Sequence, residues 1–326
     1  MNIMVIGGAG YIGSHVAREF LDQGHDVTVF DDMSSGVEEN IFPEETFVQG
    51  DIRMSDDIES AMAAKPFDGV VHLAAFKHVG VSMDQPDTFA VNNISGTINV
   101  LNAMLKHGVK HIVFSSSASV FGEPKYLPLD EKHTTNPESF YGFTKLEIER
   151  MMYWYDRLKS IRYASLRYFN ASGYDVKGRI TGIEQITTNL IPVLMEVAVG
   201  KRPKAQIFGT DYNTRDGSCI RDFIHVNDLA TAHVMAMNHM VKHDESQIFN
   251  MGTANGTSVL EILELTRKIT GKPIDAEMTD RRPGDPSSLY AASDKIRSIL
   301  GWEARHSDLE TIIDTTWKVY RSHFNA

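Results

Sequence analysis

At 326 residues the chain is long enough for one large domain or two intimately packed ones, and 42% hydrophobic and 23% charged content is ordinary for a globular protein. A net charge of −11 argues against partners such as nucleic-acid phosphates or an anionic membrane surface. The lone cysteine, Cys219, excludes an internal disulfide and points to a reducing, cytoplasmic setting. No apolar run reaches the length of a membrane span, and the opening residues lack the basic region and cleavage site of a signal peptide.

In chain order, β-rich apolar runs predict strands at 2–6, 26–30, 46–49, 69–73, 111–115 and 162–168. Amphipathic stretches at 11–23, 55–64, 84–107 and 139–159 predict helices between them. This alternation predicts an α/β fold, a Rossmann-type doubly wound parallel sheet covered on both faces. After Asn170 the pattern changes. Residues 171–184 are punctuated by glycine and read as a loop. Helices are predicted at 187–200, 226–242, 257–270 and 307–324, mixed with short strands. The expected organisation is a dinucleotide-binding domain over 1–170, to which about 220–245 returns, and a smaller mixed α/β substrate domain over 171–326.

The first strand runs into VIGGAGYIGSH, with Gly7, Gly10 and Gly13 spaced for a tight turn and a close approach of backbone to a pyrophosphate. A helix beginning near Tyr11 would aim its free N–H groups at that anion. Asp31 ends the second strand, 18 residues beyond Gly13, near the spacing of an acid that binds the adenosine ribose. A carboxylate there accepts from a 2′-hydroxyl and repels a 2′-phosphate. Asp32 follows and no arginine does, so NAD is expected over NADP.

Two Tyr-x-x-x-Lys pairs share the 139–159 helix: Tyr141 with Lys145, and Tyr155 with Lys159. The spacing puts both members of each pair on one helix face. In an open parallel sheet, ligands sit beyond the C-terminal ends of the strands, so the two ends of a crossover helix lie at opposite sheet edges. Pro137 and Ser139 signal a helix start that places Tyr141 at the ligand edge. Tyr155 is 14 residues further on, about 21 Å along the axis. Ser115, Ser116 and Ser117 also stand at the ligand edge. Tyr141 and Lys145 are therefore the expected chemical pair, and Tyr155 and Lys159 a packing tyrosine and a solvated lysine.

These motifs, with GDIR at 50–53, HLAAFKHVGVS at 72–82, NNISGT at 92–97, FSSSASVFG at 114–122, LRYFNASG at 166–173, IRDFIHVNDLA at 220–230 and RRPGD at 281–285, span nearly the whole chain. The chain resembles the nucleotide-sugar 4-epimerases of the extended short-chain dehydrogenase/reductase family. The resemblance implies bound NAD and inversion at C4 of UDP-glucose and UDP-galactose through a transient 4-keto sugar. It implies Ser117, Tyr141 and Lys145 as catalytic residues, with Ser117 and Tyr141 also touching the sugar. Tyr141 would act as a base near neutrality, a fall of about 3 from its usual pKa of about 10, or roughly 4 kcal/mol, expected from Lys145 and the positive nicotinamide ring. Implied cofactor contacts are Gly7, Gly10, Tyr11, Ile12, Gly13, Asp31, Asp51, Ile52, Leu73, Ala74, Ala75, Lys77, Asn92, Ser115 and Phe169, besides Tyr141 and Lys145. Implied substrate contacts are Lys77, Asn170, Asn189, Leu190, Gln206, Ile207, Phe208, Arg221, Arg282, Asp285 and Leu289. Ile52 and Phe169 read equally well as core. His72 and His225 are expected to be structural, and the histidine spacing predicts no metal site.

Three positions depart from the family pattern. Ile6 replaces a threonine before the glycine loop. Phe121 stands where a tyrosine is usual, removing a hydroxyl near the site. Leu289 occupies a gate that is tyrosine in members restricted to plain hexoses and smaller where N-acetylated sugars fit, so some turnover of UDP-GlcNAc and UDP-GalNAc is expected. The alternatives are a 4,6-dehydratase of the same family and a catalytically dead NAD-binding regulator. The resemblance also implies a homodimer pairing the helices at 84–107 and 139–159. Met151, Met152, Tyr155 and Leu158 would serve that interface or pack on the sheet.

Overall fold

The computed structural model describes residues 1–184, 187–282 and 285–326. The run NIMVI forms β1 (Asn2–Ile6), followed by α1 (Tyr11–Asp22), β2 (Asp26–Asp31), β3 (Thr46–Gln49), α2 (Ser55–Ala63) and β4 (Gly69–His72). A broken helical region comes next: α3 (Val79–Asp84), α4 (Pro86–Phe89), a π-helical turn over Ala90–Ser95, and α5 (Gly96–His107). β5 (His111–Ser115), α6 (Phe140–Lys159) and β6 (Arg162–Tyr168) complete the first half. Beyond it lie β7 (Asn170–Ser172), α7 (Leu190–Ala198), β8 (Ala205–Phe208), β9 (Ile220–Arg221), β10 (Phe223–His225), α8 (Val226–His243) and β11 (Gln247–Met251). The chain ends with β12 (Thr257–Ser258), α9 (Val259–Thr270), β13 (Ala276–Thr279), β14 (Ser288–Leu289), α10 (Asp294–Leu300) and α11 (Leu309–Phe324).

Seven strands form one parallel sheet in the order β11-β6-β5-β4-β1-β2-β3. Ile3 to Ile6 are fully buried, as strands covered on both faces must be. Val16 and Phe20 of α1, with Leu229 and Val234 of α8, cover one face. Ile58, Leu101, Ile148 and Met152, from α2, α5 and α6, cover the other. The chain reverses its winding between β1 and β4, and at such a switch point the strand ends part to leave a crevice. A third core joins α7, α9 and α11 to β8 and includes Leu194, Ile262, Trp317 and Ile207.

Three elements differ from the sequence expectation. The helix expected over 84–107 starts at Pro86, after non-helical Gln85, and runs to His107 through a π-helical turn with Asn92 and Asn93 buried. The loop expected at 171–184 begins inside a short strand, β7, which pairs with β10. β11, a seventh strand, extends the sheet beyond β6. Met152 is fully buried against the sheet and Met151 and Tyr155 pack on the same core, whereas Leu158 is 69% exposed. Of the four candidates for an interface, Leu158 alone is a freely exposed side chain.

Candidate active site

The switch-point crevice is lined by Gly7, Gly10, Tyr11, Ile12, Gly13, Asp31, Ile52, Leu73, Ala74, Ala75, Lys77, Asn92 and Ser115. All thirteen were expected there. Gly7 has φ +83°, and a Cβ on it would lie 2.6 Å from the Ala74 nitrogen. A Cβ on Gly13 would lie 2.0 Å from the Gly7 carbonyl oxygen, so a side chain at either glycine would force the loop apart. Gly10 precedes α1 without a side-chain cap, and the first turn holds no acidic residue. The free N–H groups of that turn and the helix dipole are left to an anion. The cradle therefore fits the pyrophosphate of a dinucleotide.

Asp31 is buried at the end of β2. Its carboxylate accepts from Ala9 N at 3.0 Å and Met33 N at 2.9 Å, while burial raises its pKa. Each oxygen keeps a second lone pair for a ribose hydroxyl. The Asp51 carboxylate is engaged by the Arg53 guanidinium, which also comes within 3.9 Å of Asp32. Arg53 is thus a cation near the ribose acid that the local sequence did not signal, and Asp51 neutralises it.

Sequence reading also missed Phe30, Ser34, Ser35, Phe76, Tyr168 and Glu184, which complete the crevice wall. Tyr168 ends β6 at the same sheet edge as Ser115, and the two hydroxyls are hydrogen-bonded. Its place at a strand end inside LRYFNASG was the available signal. Glu184 closes the 171–184 loop over the crevice through an ion pair with Lys77. The Tyr11 hydroxyl fixes the same loop by donating to the Gly173 carbonyl.

Ser139 caps α6 by accepting from Gly142 N at 3.1 Å, which puts Tyr141 in the first turn. Ser117 caps the short turn after β5 and accepts from Ser119 N at 3.1 Å. The Ser117 hydroxyl donates to Ser119 Oγ at 3.2 Å and is near enough to Tyr141 to favour its phenolate. Lys145 is 2% exposed. Its ammonium donates to the Ser115 carbonyl at 2.7 Å and stands 5.8 Å from the centre of the Tyr141 ring. Tyr141 and Lys145 do not line the crevice itself, and Lys145 is joined to it through the Ser115 carbonyl.

The protein without its cofactor does not by itself supply the fall expected of Tyr141. Burial pushes Tyr141 up to about 12, and its bond to Ser117 offsets part of that rise. Burial pulls Lys145 down to about 7. The protein alone therefore raises the tyrosine rather than lowering it, because desolvation of the phenolate outweighs the contribution of Ser117. Bringing Tyr141 from about 12 to neutrality takes roughly 7 kcal/mol, not 4.

In the C-terminal half, β14 runs beside β9 with Leu289 paired to Arg221. Arg221 forms an ion pair with Asp285. The Arg282 guanidinium lies 3.8 Å from the centre of the Phe208 ring on β8. Gln206 of the same strand is exposed, whereas Ile207 is buried and its carbonyl accepts from the Thr279 hydroxyl at 3.2 Å. Pro283 and Gly284 of RRPGD lie outside the described residues. Asn170 spends both its backbone and side-chain N–H on the Asp222 carbonyl. Asn189 and Leu190 begin α7, which shares its core with β8.

Phe169 and Leu289 both pack on the cluster of Val120, Phe121, Leu129 and Leu146. Phe121 is buried there, its ring 5.1 Å from the Arg167 guanidinium. His72 and His225 are buried, and burial pulls both down to about 3, so they are neutral near pH 7.

A model of the NAD dependent epimerase/dehydratase family matches residues 3–252. The chain belongs to that family. The UDP-glucose 4-epimerase of Halalkalibacterium halodurans is 45% identical over 323 residues, covering 99% of this chain and 96% of the relative. A Brucella ovis UDP-glucose 4-epimerase solved with NAD superposes with a TM-score of 0.95 at 39% identity, covering 98% of each chain. The Bifidobacterium longum UDP-glucose 4-epimerase solved with NAD⁺ and UDP has a TM-score of 0.93 at 34% identity, covering 99% of this chain and 98% of that one. For a member of this family, the crevice and the serine-tyrosine-lysine group sit where the fold delivers ligands. Among the described residues no cluster of His, Cys, Asp and Glu could hold a metal ion, and no helix is long and apolar enough to cross a membrane.

Proposed function

We propose that this chain is an NAD-dependent UDP-glucose 4-epimerase, interconverting UDP-glucose and UDP-galactose through a 4-keto sugar. The observation that carries this is the grouping of Ser117, Tyr141 and Lys145 beside the glycine cradle at the C-terminal edge of the sheet. The crevice residues from Gly7 to Ser115 would hold NAD. Bound NAD⁺ would supply the hydride acceptor for C4 and a positive ring that favours the tyrosine phenolate. Tyr141 removes the proton from the sugar O4 and returns it after the keto sugar has presented its other face. Ser117 bonds the same oxygen, and Lys145, anchored on the Ser115 carbonyl, supplies positive charge.

Residues 1–170, with the returning segment near 220–245, form the NAD-binding domain in this reading, and 171–326 mainly the UDP-sugar domain. Arg221 and Arg282 hold the diphosphate, Asp285 the uridine ribose, and the backbone of Gln206, Ile207 and Phe208 the uracil. Asn170, Asn189, Leu190 and Lys77 complete the substrate contacts. The single buried thiol, Cys219, supports a reducing, cytoplasmic location. A homodimer is supported by exposed apolar side chains on neighbouring helices: Met83, Val91, Phe143, Trp154 and Leu158.

Purified protein incubated with UDP-galactose tests the proposal: UDP-glucose accumulates to an equilibrium mixture with no net reduction of NAD. Release of a 4-keto-6-deoxy product would establish the dehydratase instead, and no conversion the dead regulator. Leu289 flanks the apolar cluster beside Ser117, so UDP-GlcNAc is expected to turn over as well, and Leu289→Tyr to remove that activity while sparing UDP-galactose. A null rate with UDP-GlcNAc, where UDP-galactose reacts, removes the second part.

A further inference from the structure

The three serines that end β5 and follow it are each fixed by a different partner. Ser115 gives its carbonyl to Lys145 and its hydroxyl to Tyr168. Ser117 faces Tyr141. Between them, buried Ser116 donates to Glu149 Oε1 at 2.6 Å. Glu149 is only 4% exposed and is gripped twice by Arg167, from Nε to Oε1 at 2.9 Å and from Nη2 to Oε2 at 2.5 Å. The chemistry assigned to Ser117, Tyr141 and Lys145 uses none of Ser116, Glu149 and Arg167. Stability does not account for them either, because a buried ion pair generally holds a fold no better than apolar residues of the same size. Glu149 stands four residues beyond Lys145, one turn along the same face of α6.

We propose that Glu149 is a positioning residue for the epimerase site: oriented by Arg167 and one turn of α6 beyond Lys145, its carboxylate holds Ser116 and so sets the backbone from which Ser115 anchors Lys145 and Ser117 faces Tyr141. The inference rests on the epimerase reading above. Around Lys145 stand Tyr141 and Glu149 on its own helix, the Ser115 carbonyl from β5 and neutral His72 from β4. Around Glu149 stand Lys145, and Arg167 and Tyr163 from β6, the tyrosine neutral because it is pushed up to about 12. Among these groups Glu149 is the one that opposes the burial pulling Lys145 down to about 7. Removing its charge lowers the pH at which Lys145 gives up its proton. The alkaline limb of activity then moves to lower pH.

Two variants of the NAD-loaded enzyme test this. Ser116→Ala leaves the ion pair intact and cuts only its link to the serine strip. Its kcat is expected to fall about tenfold, with KM for UDP-galactose within about twofold and Tm unchanged. In Glu149→Gln the titration midpoint of Lys145, followed by NMR of labelled lysine side chains with Lys145→Met as the assignment blank, is expected to fall. The alkaline limb of kcat/KM is expected to move the same way. A Ser116→Ala enzyme with parental kcat overturns the inference, as does a folded Glu149→Gln protein whose Lys145 midpoint stays put. Where Glu149→Gln does not fold, Ser116→Ala decides. If the parent itself fails to turn over UDP-galactose, the epimerase reading falls, and the lysine midpoint still reports whether Glu149 governs Lys145.

Discussion

Tyr141 with Lys145 and Tyr155 with Lys159 share one helix and one spacing, yet the fold treats them in opposite ways. Tyr141 stands in the first turn of α6, within reach of Ser117, and Lys145 is buried on the Ser115 carbonyl. Near the other end, the Tyr155 hydroxyl donates to Asn102 Oδ1 at 3.2 Å, its ring packs on the sheet core, and Lys159 is exposed. Spacing decides which face of a helix two residues share. Distance along the axis decides which sheet edge they meet, and only one edge of a parallel sheet receives ligands.

The sharpest break of this comparison is Tyr141→Phe, expected to lower kcat by about a thousandfold, against Tyr155→Phe, whose kcat stays within about twofold of the parent. A lethal Tyr155→Phe in a folded protein would reverse the edge argument. Next in size, Lys145→Met should cost about a hundredfold in kcat and Lys159→Met nothing measurable, as read by steady-state assay with UDP-galactose. Leu158→Asp acts at the same helix end as Tyr155. It should shift sedimentation toward monomer without altering the fold, and an unchanged assembly would move the subunit interface elsewhere. The smallest effect belongs to Tyr155→Phe in a thermal melt. Losing one partly exposed hydrogen bond should cost about 1 kcal/mol or less.

Local pattern made much of this legible. Six strands, the glycine cradle and the start of α6 each carry a signal within a few residues: an apolar run, a glycine spacing, a proline and a capping serine. What stayed hidden depends on distant partners. β11 is a short, unremarkable run, QIFNM, and it becomes a strand because β6 offers an edge. The π-helical turn within the 84–107 helix carries Asn93. Its buried amide bonds Phe76 N and O and the Thr144 hydroxyl, contacts no local periodicity encodes. Glu184 and Tyr168 reach the crevice only after the chain has folded back on itself. The direction of the Tyr141 shift escaped for a related reason, since burial is a property of the assembled fold and not of the Tyr-Lys spacing.

β11 also bears on how the protein is made. It leaves the ribosome well after β6, so until residue 251 has been synthesised the growing sheet carries an open hydrogen-bonding edge along Arg162–Tyr168. That edge is a template for pairing with another nascent chain. A truncated product ending before Gln247 retains six strands of the sheet and the entire glycine cradle, with β6 left as an open edge. Chaperone capture is best looked for in ribosome-bound chains stalled between β10 and β11.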